Sequence, residues 1–198
     1  MPRIPGVPTR RAGWLAKLLY RVARRRFGAV PEPATVYAHH NGVLLTWALF
    51  ENTLQRAVRR LPEGLRELVT YRVATQVGCS WCVDFGTMLQ RMQGLDIERL
   101  KEIDSYADSP RYTGIDKQAI AYADAMTAQP PTVTDEMVAA LDAELGHDGL
   151  VELTFIVAVE NMRARCFHAL GITDQGFTSG EACRVPVPSD KAITMRRG

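Results

Sequence analysis

Long apolar runs are missing from this 198-residue chain: none approaches the roughly 20 residues that a membrane span needs. The N-terminus carries charge but no apolar core of the kind that follows it in a signal peptide. Charge of one sign is lacking as well. Lys and Arg number 24 against 22 Asp and Glu, a formal net charge of +2, which makes no general demand for nucleic acid. Cysteine is sparse: four residues, unequally spaced at 79, 82, 166 and 183. That is no disulfide framework and fits a reducing compartment, so a cytoplasmic protein is expected. No flavin, haem or nucleotide motif occurs, so no cofactor is expected. No segment reads as a strand. An all-α fold in a single domain follows, long enough to bury a sizeable core.

What is present centres on residues 64–86. Leu65, Leu68, Val69, Val73 and Val77 form a helical stripe, and Phe85, Met88, Leu89 and Met92 form another. Gly78 reads as the break between two helices. Cys79 and Cys82 then open the second helix, where unpaired backbone N–H groups favour thiolate over thiol. Residues three apart on a helix are neighbours, so the two sulfurs can pair as a disulfide. If the chain reverses near Val77, Glu67 faces Gly86, one turn below Cys82. A carboxylate there can accept a thiol proton directly or through a water. Structural zinc needs four ligands, and Cys166 and Cys183 form no second close pair. The pair is therefore read as a dithiol redox centre, with attacking and resolving roles left open. Trp81, between the cysteines, serves either core packing or the shielding of the site. Asp84 is placed in the first helical turn.

The rest of the chain reads as helices. They cover Arg10 to Phe27 (basic on one face), 34–39, Gly42 to Leu61, Ile97 to Tyr106 and Ile115 to Ala128. One more ends at Gly146, and a last one runs from Gly149 to Leu170. The N-terminal basic helix is read as packing its apolar stripe on the body or on a second subunit. His39 and His40 are read as solvated or capping residues. Residues 173–198 are expected to be irregular. Gly64-Leu-x-Glu-Leu is echoed by Gly149-Leu-x-Glu-Leu, which would relate Glu67 to Glu152 and bring the last helix beside the hairpin.

Glu67-x11-Cys79-Ser-Trp-Cys82, set within Leu65-Arg-Glu-Leu-Val and Arg72-Val-Ala, resembles the carboxymuconolactone decarboxylase-like family, on its alkylhydroperoxidase D branch. The resemblance covers roughly residues 60–106 and, more loosely, 149–172. It implies an all-α homo-oligomer that reduces hydroperoxides, with Glu67, Cys79 and Cys82 in a proton relay. It also implies an external dithiol donor, lipoyl or thioredoxin-like. The family usually has His four residues after the second Cys, where this chain has Gly86, and can have His where this chain has Trp81. His168 is the first candidate to fill the gap beside Gly86, and His39 and His40 are the second. Two other readings stand beside the peroxidase: an acid/base enzyme like the family's decarboxylases, and a non-catalytic dithiol sensor or oligomeric module.

Overall fold

The computed structural model describes residues 2–62 and 64–178. Seven α-helices and one 3-10 helix, with no strand, make up the regular structure among those residues. They are α1 (Trp14–Phe27), α2 (Glu32–Tyr37), α3 (Asn41–Ala57), α4 (Leu65–Val77), α5 (Ser80–Met92), the 3-10 helix Glu98–Ser105, α6 (Gly114–Thr127) and α7 (Asp135–Leu170).

α4 is the centre. Leu65, Leu68, Val69, Tyr71, Val73 and Ala74 are all buried, and they point around most of the helix circumference. A helix with apolar side chains on most of its circumference must be enclosed by its neighbours. α5, α6 and α7 pack against it, as the echo between residues 64 and 149 anticipates for the last helix. Ile120 and Ala123 of α6 and Leu153, Val157 and Phe167 of α7 complete the core. Arg72 of α4 is neutralised where it leaves this core, by a two-point contact with Asp124 (2.6 and 3.0 Å) and by Asp104 (2.9 Å). A second, smaller cluster of Ala12, Ala16, Tyr20, Ala34 and Leu44 joins α1, α2 and α3.

Several helix ends differ from the sequence reading, each for a local reason. α1 starts at Trp14 rather than Arg10, because Arg11 and Ala12 donate their N–H groups to the Pro8 carbonyl in a turn. α3 stops at Ala57 rather than Leu61. The N–H groups of Arg59, Arg60 and Leu61 donate to the Glu152 carboxylate at 2.9–3.0 Å instead of to helix carbonyls. His40 caps α3, its Nδ1 accepting from the Val43 N–H at 3.2 Å. The element after Gly94 is 3-10, not α. Gly146 breaks α7 with φ 68° and ψ 168°, so the expected division between two helices is present there. Residues 173–178 have no regular structure, and the remainder of the expected irregular tail, with Cys183, lies outside the described residues.

Candidate functional site

Gly78 ends α4 with φ 78°, a left-handed conformation that glycine adopts without steric penalty. Cys79 follows as the N-cap of α5, and its sulfur accepts the Cys82 N–H at 3.2 Å. Cys79 and Cys82 form a disulfide with Cα atoms 5.3 Å apart. Both residues are buried, at 2% and 6% exposure. The reversal at Gly78 lays α5 back along α4, as the spacing predicts.

A cavity of ≈ 590 Å³ opens beside the pair. Cys82 belongs to its wall and Cys79 does not. Glu67 and Gly86 line it as well, which joins the three positions that the hairpin geometry brings together. Glu67 is largely buried and ion-paired with Arg66, whose Nε donates to Oε1 at 2.8 Å. A Cβ built on Gly86 would meet nothing within 4 Å, so the place of the family's usual imidazole is open space.

The histidines do not fill it. His168 is exposed in the last turn of α7 and is not part of the cavity wall. Its carbonyl accepts from Arg3 Nη1 at 2.6 Å. The reason is helical phase: Ile156, Glu160, Arg163 and Phe167 share the inward face, and His168 is rotated off it. His40 is occupied as a cap, and His39 Nε2 contacts the Pro5 carbonyl at 2.8 Å. No histidine lines the cavity among the described residues.

The walls are aromatic. Trp81 stacks on Phe85 at 4.6 Å and meets Phe167 edge-on at 5.1 Å, and Phe27 meets Phe85 edge-on at 5.1 Å. Trp81 thus packs the core and walls the site together. Trp47 Nε1 and Gln90 Oε1 are buried without a hydrogen-bond partner among the described residues, and both side chains belong to the cavity wall.

Asp84 lies one residue beyond the first turn of α5, not within it. Its carboxylate accepts from the N–H groups of Gln175 (3.0 Å), Phe177 (3.0 Å) and Thr178 (2.9 Å) and from the Thr178 hydroxyl (2.8 Å). Trp81 Nε1 donates to Gln175 Oε1 at 2.9 Å. Residues 174–178 are therefore a strap fastened across the helix that carries the cysteines.

One group escapes sequence reasoning. Glu160 lines the cavity on the buried face of α7, with its side chain 3% exposed. Arg163 Nη1 donates to its Oε2 at 3.1 Å, while Arg163 Nε donates to Glu51 Oε1 at 2.8 Å. Burial pushes the Glu160 carboxyl up to about 7, against the opposing pull of Arg163. The available signal was a carboxylate on the apolar stripe Ile156, Val157, Ala164 and Phe167, three residues before an arginine.

Residues 43–125, from α3 into α6, match the model of the Carboxymuconolactone decarboxylase family. The uncharacterized protein YnjA of Escherichia coli (strain K12) is 29% identical over 163 residues, covering 82% of this chain and 87% of that protein. The alkyl hydroperoxide reductase Rv2159c of Mycobacterium tuberculosis is 39% identical over 87 residues, 43% of this chain and only 25% of that protein. Among solved structures, an uncharacterized peroxidase-related protein of Ralstonia eutropha JMP134 with an alkylhydroperoxidase AhpD core superposes with a TM-score of 0.77 at 15% identity, covering 89% of this chain and 94% of that one. The debrominase Bmp8 superposes with a TM-score of 0.71 at 14% identity, covering 82% and 87%. At these identities the structural matches establish the fold.

Proposed function

From the premise that this chain is carboxymuconolactone decarboxylase-like, of the alkylhydroperoxidase D branch, we propose that it reduces hydroperoxides through the Cys79–Cys82 couple. The observation that carries this reading is the pair itself: a disulfide at the start of α5, with Cys82 in the wall of a cavity that a carboxylate also lines. Cys82, the member of the pair in the cavity wall, is the attacking thiol, and Cys79 is the resolving one. In the reduced protein Glu67 takes the Cys82 proton. The thiolate then attacks the terminal peroxide oxygen, the O–O bond breaks, and Cys82 becomes a sulfenic acid. Cys79 condenses with it, a disulfide forms and water leaves. An external dithiol of lipoyl or thioredoxin-like type restores the pair in a reducing, cytoplasmic setting. The acid/base decarboxylase reading predicts activity that survives replacement of both cysteines, and the sensor reading predicts oxidation without turnover.

A homo-oligomer belongs to the same proposal. It is supported by the apolar side chains that α1 leaves outward: Trp14 is 79% exposed, and Leu18 lies half-exposed one turn along on the same face. No helix among the described residues is long and apolar enough to cross a membrane.

Trapping tests the assignment of the sulfurs. In Cys79→Ser the sulfenic acid has no resolving partner, so a dimedone adduct is expected on Cys82 after one equivalent of tert-butyl hydroperoxide. An adduct on Cys79 in Cys82→Ser, with none on Cys82 in Cys79→Ser, would reverse the roles. No adduct in either variant would remove peroxide attack.

A further inference from the structure

Breaking a peroxide O–O bond requires an acid as well as a base. The departing alkoxide is strongly basic and must be protonated as it leaves. No imidazole lines the cavity among the described residues, so the acid must be another group. The titratable and charged side chains facing the space are Arg26 of α1, Glu51 of α3, Arg66, Glu67 and Tyr71 of α4, Cys82 of α5, and Glu160 and Arg163 of α7.

Two carboxylates, Glu51 and Glu160, share the single guanidinium of Arg163, and they are not equally placed. Glu51 takes the two-point contact and its side chain is 24% exposed, whereas Glu160 takes one nitrogen and is 3% exposed. Two anions on one cation leave a surplus charge, and the group with less solvent and fewer donors holds the proton. Glu67 differs in its surroundings: it has its own cation, Arg66, on the α4 side of the cavity. Paired carboxyls in contrasting surroundings divide acid and base work between them.

We propose that Glu160 is the proton donor to the leaving oxygen of the peroxide, in place of the histidine that the sequence pattern lacks at Gly86. This rests on the peroxidase reading above. The Cys82 sulfur forms a bond to the terminal oxygen of R–O–O–H, the O–O bond breaks, and the peroxide is reduced by two electrons while the sulfur is oxidised. The proton of Glu160 passes to R–O, giving R–OH and a carboxylate on Glu160. The proton that Glu67 took from Cys82 then returns to Glu160 through the cavity, and the site is reset when the disulfide is reduced. Burial holds the Glu160 carboxyl near neutrality, where an acid of this kind is most effective.

The test is a leaving-group comparison on wild type and E160Q, with dithiothreitol as reductant. tert-Butyl hydroperoxide expels a basic alkoxide, whereas perbenzoic acid expels a weakly basic carboxylate that needs no donor. E160Q is expected to lower kcat/KM about 100-fold for the hydroperoxide and only a few-fold for the peracid. On the wild type alone, kcat/KM for the hydroperoxide should fall as pH rises through about 7, in step with an infrared band of a protonated carboxyl that E160Q lacks. Equal losses for both peroxides, no loss, or absence of that band overturns the donor role while peroxidase activity stands. A wild-type protein inert to both peroxides overturns the peroxidase reading and the donor step with it.

Discussion

Glu160 couples the chemistry of the site to the stability of the fold. In the unfolded chain its carboxyl titrates near the ordinary 4.5, and in the fold near 7. The folded state holds the proton over the wider range, so the stability linked to it is fully present below about pH 4.5 and is lost as pH rises through about 7. That difference corresponds to about 3 kcal/mol at most. Chemical denaturation between pH 5 and 8 should show this decline in the wild type and a flatter profile in E160Q; parallel profiles would assign the proton elsewhere. Gly86 gives a second expectation at this scale. The space beside it admits a side chain, so Gly86→His should fold and raise the rate of hydroperoxide reduction. A folded but slower variant would mean that the cavity needs its volume more than an imidazole. Glu67, Cys79 and Cys82 were legible because one hairpin relates them, and periodicity describes a hairpin well. Glu160 was not, because its meaning comes from Glu51, which reaches the same arginine from 112 residues away. His168 was misplaced by one helical step, since its neighbour Phe167 takes the inward position.

Helix ends followed the same division. Gly78 and Gly146 mark breaks that any reading of glycine finds, because both adopt positive φ. The end of α3 is set instead by Glu152 of α7, whose carboxylate takes three backbone N–H groups from residues 59–61. Glu67 and Glu152, related in the sequence echo, have different surroundings: one lines the cavity and the other fastens a connection. Glu152→Ala should destabilise the protein by about 1 kcal/mol, the scale of losing charge-assisted bonds to donors that water can partly reach. A urea midpoint unchanged from wild type would contradict this. The Asp84 strap makes a comparable claim. Asp84→Ala removes the acceptor for four donors and frees Gln175 from Trp81, so tryptophan emission should shift to the red. An unshifted spectrum would show that the strap is held by Phe177 against Phe85 without the carboxylate.

Across the whole molecule, the helices around α4 place Cys82 of a buried disulfide in the wall of an aromatic-lined space, with the Glu67 carboxylate of α4 and the buried Glu160 carboxyl of α7 in the same wall. The outward Trp14 and Leu18 predict self-association, and Trp14→Glu should lower the mass seen by light scattering; an unchanged mass would place the interface elsewhere. The most direct measurement of the central claim is a thiol count on the reduced wild-type protein, which has four cysteines, before and after one equivalent of tert-butyl hydroperoxide. Two thiols should disappear per peroxide consumed, with one equivalent of tert-butanol released and the Cys79–Cys82 disulfide recovered by peptide mapping. Thiol loss that maps to Cys166, or peroxide left unconsumed while all thiols persist, would contradict a Cys79–Cys82 peroxidase.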